Sequence, residues 1–319
     1  MEPIMHAPWR LAALAIFVIA LPARAQHHKS RSHRDDQNVE SRIDTTVTLG
    51  RSGTVDLQSF SGDIKVVGWD RDDVKIHATS EGQLRFDSSP SRVSLVESPQ
   101  DRNDDDDEDG HTGFVISMPK SGRLLLRTLS GDIQLQDVAD VEGHSVSGDI
   151  DVANIASHAV LESISGDVTV THVATGVRVN TVSGEIHAKQ ITGEVAAQSV
   201  SGDIVLDDIT SSYVRSETVS GEVHFSGPVD AKGRYEFHSH SGDVDLNIAN
   251  GASDATLEVE TYSGDLDTSC SMTMQPSGNG SRMGKRGTFT IGHGGGAHFI
   301  LKTFSGDVHI TGCRSRGDK

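Results

Sequence analysis

A three-residue phrase, Ser-Gly-Asp or Ser-Gly-Glu, occurs ten times in this chain, starting at Ser61, Ser130, Ser147, Ser165, Ser183, Ser201, Ser220, Ser241, Ser263 and Ser305. From Ser130 onward the spacings are 17, 18, 18, 18, 19, 21, 22 and 42 residues. A near-fixed period of that size marks one supersecondary unit stacked on copies of itself. Counting from each Ser, the residue three places on is aliphatic in every copy, from Ile64 and Ile133 to Leu266 and Val308, and the residue five places on is nearly always so. That alternation is a half-buried strand. Positions six and four before the Ser are mostly apolar, as in Val177 and Val179, and position two before it is always Ser or Thr. A second strand therefore runs into the phrase, its inward face narrowing to a small hydroxyl at the turn.

About half a period away lies a looser turn, as at Thr175-Gly176, Thr192-Gly193 and Ser211-Ser212. One period thus reads strand, turn, strand, turn. Neither strand can bury its apolar edge alone, but coils stacked in parallel at roughly 4.8 Å bury a continuous aliphatic column and pair each backbone with the coils above and below. The expected fold is all-β: a parallel β-solenoid, β-helix or β-roll-like, of about 18 to 22 residues per coil, preceded by an N-terminal β region. Nine phrases from Ser130 onward predict a rod about 40 Å long. Aromatic residues make up only 4% and there are 33 Gly, which suits thin coils better than a large enzyme core.

The organisation expected along the chain has five parts. Residues 1–25 read as a secretory signal: Arg10 ends a short n-region, Leu11 to Leu21 is apolar, and Ala23-Arg24-Ala25 is a cleavage site that leaves Gln26 first. Eleven apolar residues are too few for the ~20 that span a bilayer, so no membrane-spanning segment is expected after cleavage. The chain is expected to be periplasmic or extracellular. Residues 26–43 read as a disordered leader, whose His27, His28 and His33 lack a fixed ligand geometry. Residues 44–123 form the N-terminal β region, with an acidic insert at 97–113 that carries Asp104 to Asp109. Its spacing is not that of a calcium loop. Residues 124–313 hold the solenoid repeats, with a Gly/Ser/Arg-rich loop insert at 275–287 that accounts for the 42-residue gap, and 314–319 are a charged tail.

Three stretches carry a family resemblance: Ser61-Gly62-Asp63-Ile64-Lys65-Val66-Val67-Gly68-Trp69-Asp70, the Ser-Gly-Asp coils, and the closing run from Gly294 to Val308. Together, from about Val47 to Ile310, they resemble the DUF4097 family, the bacterial "putative adhesin" β-strand-repeat proteins. The resemblance implies a repeat architecture and an adhesin-like role. It implies no chemistry. The two inserts are departures from the family pattern.

The formal net charge of −18 argues against nucleic acid, whose phosphates need clustered Lys and Arg. The acids of the phrase form one column, Asp63, Asp132, Asp149, Asp167, Glu185, Asp203, Glu222, Asp243, Asp265 and Asp307. A calcium ladder would need acids at both turns of each coil, and the second turn lacks a regular acid. The structural reading has Gly supplying open backbone angles while Ser and Asp bond nearby N–H groups. A second column, His224, Asp245, Asp267 and His309, falls on four consecutive layers if the insert is a loop, and it has the residue types of a transition-metal site or of an ordinary solvated face. Cys270 and Cys313, the only cysteines, fall on neighbouring coils, where an exported pair can form a disulfide. Alternation points Cys270 inward and Cys313 outward unless Gly312 makes a bulge. Trp69, Tyr213, Tyr235 and Tyr262 are the aromatic candidates for a sugar platform, with Tyr262 read as core.

No nucleophile elbow, His-Glu-x-x-His or phosphate loop is present. The sequence therefore assigns no catalytic, cofactor-binding or metal residue and no cofactor. It points to a non-enzymatic exported scaffold or adhesin-like protein with an unknown envelope component or protein as partner. The alternatives are a carbohydrate-active β-helix enzyme and a calcium-binding repeat module.

Overall fold

The computed structural model describes residues 41–98, 112–249, 254–275 and 285–312. The signal, the leader histidines, Asp104 to Asp109, Cys313 and the tail lie outside them. Among the described residues every regular element is a strand, in one sheet of 13 and one of 14. None forms a helix long and apolar enough to cross a membrane.

The Ser165 coil shows the unit. His158–Ser165 lies in the 14-stranded sheet, the chain turns at Gly166, and Val168–Val173 lies in the 13-stranded sheet before Gly176–Ser183 begins the next coil. The inward positions of the alternation face between the sheets, so Leu161, Val168, Val170 and Val173 are at most 1% exposed. The strands pair in parallel with the phrases in register, Ser147 to Ser165 to Ser183. Gly166 adopts φ +125°, and a Cβ there would sit 2.2 Å from the Gly148 carbonyl oxygen one layer away. The turn thus needs Gly for both its backbone angle and its close stacking. At the opposite corner Asp137, Asn154, His172, Gln190 and Asp208 hold φ between 53° and 61° in five consecutive coils, a conformation that Asn, Asp and His tolerate better than most.

The core changes along the stack. The 17- and 18-residue coils bury Val, Ala, Ile and Leu, whereas the longer coils bury Phe225, Tyr235, Phe237 and Phe299. Tyr235 stacks on Phe299 at 4.8 Å and donates its hydroxyl to the Ser211 carbonyl. Burial raises its pKa.

All ten phrases belong to one stack. The Ser61 phrase, remote in sequence, lies directly against the Ser130 coil, with Ser59 opposite Thr128 and Ile64 opposite Ile133. At the far end the order departs from the sequence. The strand Ala297–Ser305 pairs with Val229–Ser241 on one side and Ala255–Ser263 on the other, which puts the Ser305 coil between those of Ser241 and Ser263. The 42-residue gap contains strands as well: Lys285–Ile291 runs antiparallel to Ala255–Ser263, so the insert expected as a loop over 275–287 enters a strand at its last three residues. Cys270 is buried and disulfide-bonded. Gly312, beside the other cysteine of the chain, takes φ +80°.

Candidate functional site

The acid column is tied into the backbone. Asp149 Oδ1 accepts the Asp167 N–H at 2.8 Å, Asp167 Oδ1 accepts that of Glu185 at 2.8 Å, and Asp203 Oδ1 accepts that of Glu222 at 2.7 Å. The same bond joins Asp63 to Asp132, Asp132 to Asp149, Asp243 to Asp307 and Asp307 to Asp265. It does not form where Glu stands below the next layer, at Glu185 under Asp203 and Glu222 under Asp243, because the extra methylene carries the carboxylate past the neighbouring N–H. Seven of the aspartates, Asp63, Asp132, Asp149, Asp167, Asp203, Asp243 and Asp307, therefore use one oxygen to link layers. The hydroxyls two places before the Ser act nearby: those of Ser59, Thr128 and Ser145 bond their own turn's carbonyl, while those of Thr218, Ser239 and Thr303 reach a Gly carbonyl one layer away.

One place before each Ser the side chain points out of the 14-stranded sheet. In spatial order these residues are Phe60, Leu129, Val146, Ile164, Val182, Val200, Val219, His240, Phe304 and Tyr262. Eight of them are 39–49% exposed, and those eight are most of the ten large apolar side chains exposed among the described residues. Exposed apolar residues scattered singly need no explanation, but a contiguous patch marks an interaction surface. This column spans ten layers, about 43 Å at the spacing of paired strands. The sequence signal for it was available. With positions six, four and two before the Ser facing in, the residue one before it must face out, yet nine of the ten copies are apolar there.

At its far end the column becomes aromatic. His240 stacks on Phe304 at 4.8 Å and Tyr262 stacks on Phe304 at 4.7 Å, nearly parallel. Tyr262, expected in the core, is exposed, because it belongs to this outward register and not to the inward one. The stacked rings turn faces to each other and present their edges, which is not the open platform a sugar needs. Among the other aromatic candidates, Tyr213 is half-buried beside Arg215. Tyr235 is fully buried, and Trp69 donates its indole N–H to the Asp73 carbonyl beneath the Arg71 guanidinium.

The His column is consecutive as expected, but in the order His224, Asp245, His309, Asp267. It yields one close pair, His309 Nδ1 to Asp267 at 3.8 Å, and no group of three ligands gathers among the described residues. The outer face of the 13-stranded sheet carries a shallow trough of ≈ 320 Å³ lined by Lys65, Gln134, Gln136, Asp151, Thr169 and Thr171, with no aromatic side chain. On the 14-stranded sheet, Arg215 bridges Glu217 at 2.5 Å and Glu236 at 3.5 Å. A hydrogen bond from His238, with Arg215 beside it, holds Glu217 below its ordinary value of 4.5.

A model of the Toastrack DUF4097 family matches residues 110–232 and again 194–311, the overlap being what a repeat allows. Two solved structures are similar. One is a "putative cell adhesion protein" from Clostridium sporogenes ATCC 15579, 6% identical with a TM-score of 0.23, over 85% of this chain and 99% of that one. The other is a "putative adhesin" from Parabacteroides merdae ATCC 43184, 8% identical with a TM-score of 0.28, over 84% and 95%. No match was found among curated proteins.

Proposed function

Because the chain belongs to the Toastrack DUF4097 family, we propose that it is a non-enzymatic exported β-solenoid serving as an adhesin-like binding or scaffold protein of the cell envelope, periplasmic or extracellular. The observation that carries this reading is the ten-layer apolar column, a surface built by the repeat itself and left open to solvent. The signal read at residues 1–25 supports export. Seven aspartates of the repeat are accounted for by the bonds they make between layers, whereas folding alone does not require the column to be apolar.

The test is capture from native envelope extract on the chain beginning at Gln26, beside an Ile164→Thr/Val200→Thr variant. Both substitutions keep β-branching, so the strands keep their preference. The reading expects a protein or envelope component that the native chain retains and the variant loses, at an unchanged thermal midpoint. Recovery of only a soluble sugar product would replace it with the carbohydrate-active alternative.

A further inference from the structure

We infer that the partner seated on the apolar column is a cationic amphipathic helix of another protein, its apolar stripe against Leu129, Val146, Ile164, Val182, Val200 and Val219 and its Lys or Arg flank against the carboxylate ladder. This rests on the binding reading above and gives the partner its chemistry. The column lies inside a sheet whose strands are paired on both sides, so no backbone edge is offered there. Contact is through side chains, which rules against addition of a strand.

The carboxylates stand three residues from the column around the turn, no more than about 11 Å along the chain, within reach of a Lys on a helix lying over the apolar residues. Asp63, Asp132, Asp149, Asp167, Asp203, Glu222, Asp243 and Asp307 have no Lys, Arg or His within salt-bridge distance among the described residues; Glu185 has His187 at 2.8 Å. Oδ2 of Asp149 and of Asp167 is left to solvent. A net charge of −18 opposes a second copy of the chain or an anionic lipid surface at the same place and favours a basic partner.

The pitch selects the helix. Layers repeat at about 4.8 Å and helix turns at about 5.4 Å, a drift of roughly 0.6 Å per layer. A helix of about four turns, some 15 residues, stays within half a layer of register, whereas the same-face residues of an extended strand fall about 6.7 Å apart. The Leu129 to Val219 stretch offers six layers, enough for such a helix.

Mutual shielding of in-register aliphatic side chains can also keep the column apolar without a partner, and the experiment separates the two. The chain from Gln26 is titrated calorimetrically with a 16-residue helical peptide bearing a Leu stripe flanked by Lys, with a scramble of the same composition, with its Lys-to-Glu counterpart, and with zwitterionic and anionic vesicles. The striped Lys peptide is expected to bind at least about tenfold tighter than the scramble, and Ile164→Thr/Val200→Thr to remove that advantage. Asp149→Asn/Asp167→Asn, which keeps the Oδ1 acceptors for the next layer, is expected to weaken binding about fivefold and flatten its salt dependence. Should the first pair lower the thermal midpoint, Val146→Thr/Val219→Thr repeats the measurement.

Equal binding of the scramble or the Glu peptide, binding to vesicles, column-dependent dimerisation, or indifference to the Asn pair would each overturn the inference. A column-dependent envelope partner without a cationic helix would sink this inference and leave the binding reading standing. No column-dependent partner at all would remove both.

Discussion

The two ends of the stack are finished by similar means and assembled in different ways. At the Ser61 end, Arg92–Ser98 and Gly113–Pro119 lie against that coil, with antiparallel strands Gln83–Ser88 and Asp73–Ser80 closing each sheet towards its edge. At the Ser263 end antiparallel strands are used again, but Lys285–Ile291 and Met272–Gln275 both extend the 14-stranded sheet, and Leu266–Thr268 forms the edge of the other. In each case a cap is made between two coils of the chain. After the first cap the next coil adds to the free face of the Ser61 coil. After the second, the Ser305 coil enters between two coils already made. A coil that adds to a free face needs only its own register, whereas one that enters a slot must satisfy two neighbours at once. The Ser263 end should therefore be the more interdependent of the two, and four perturbations test that difference.

The largest effect is expected at the Ser61 end. Glu97 is 3% exposed and accepts hydrogen bonds from Ser59 Oγ, the N–H groups of Phe60 and Ser61, and Ser80 Oγ. It stands where a further coil would have offered its turn. Glu97→Ala leaves four donors without this acceptor and should cost about 4 kcal/mol in denaturant unfolding, with Glu97→Gln retaining about half. A loss below ~1 kcal/mol would mean that water caps this end as well as the carboxylate does.

At the other end, Cys270→Ser should cost about 3 kcal/mol. Amide exchange would locate the loss. Protection should fall in Ala255–Ser263 and Ala297–Ser305 while Thr54–Ser59 is unchanged. An equal fall at the Ser61 end would break the comparison, since the ends would then unfold as one unit.

How much of this was legible follows from what each residue reports. The inward aliphatics and the Gly of the phrase state a local requirement, alternation and an open φ, and Ile64, Ile133 and Val168 are buried as the period demanded. Layer order is another matter. Ser263 and Ser305 carry the same phrase, and nothing in a phrase says which neighbour it will meet, so spacing gives membership of the stack and not position within it. Glu97 was unreadable for a related reason: it caps Ser61 across a distance that no repeat marks. The apolar column was readable but lay behind the inward register, and Tyr262 reads as core only because it replaces the aliphatic residue usual just before the Ser, a position that faces out.

A smaller effect probes the slot directly. Asp307 Oδ1 accepts the Asp265 N–H at 2.7 Å, fastening the Ser263 coil to the inserted one, while Asp63 accepts from Asp132 at 3.2 Å. Asp307→Ala should cost about 1 kcal/mol, Asp63→Ala about half that, and either Asn substitution close to nothing, because Asn Oδ1 still accepts. A cost for Asp307→Asn equal to that for Asp307→Ala would show that charge and not the hydrogen bond joins these coils.

The smallest effect lies just below the slot and is read by pH. Glu217 on the Ser220 coil pairs with His238 on the Ser241 coil at 3.2 Å and with Arg215 on its own strand, and its pKa is lowered from 4.5, chiefly by the bond from His238. A carboxylate with a depressed folded-state pKa contributes stability that is present above its unfolded value and disappears as pH falls through the folded value. Native protein should therefore lose stability below about pH 4.5 relative to Glu217→Gln, by no more than about 1 kcal/mol because the pair is partly solvated. Because the bridge joins the last sequential coil to its neighbour, acid should loosen Ser211–Ser220 and Val229–Ser241 before Thr54–Ser59. Simultaneous loss at both places would indicate that the slot confers no separate vulnerability.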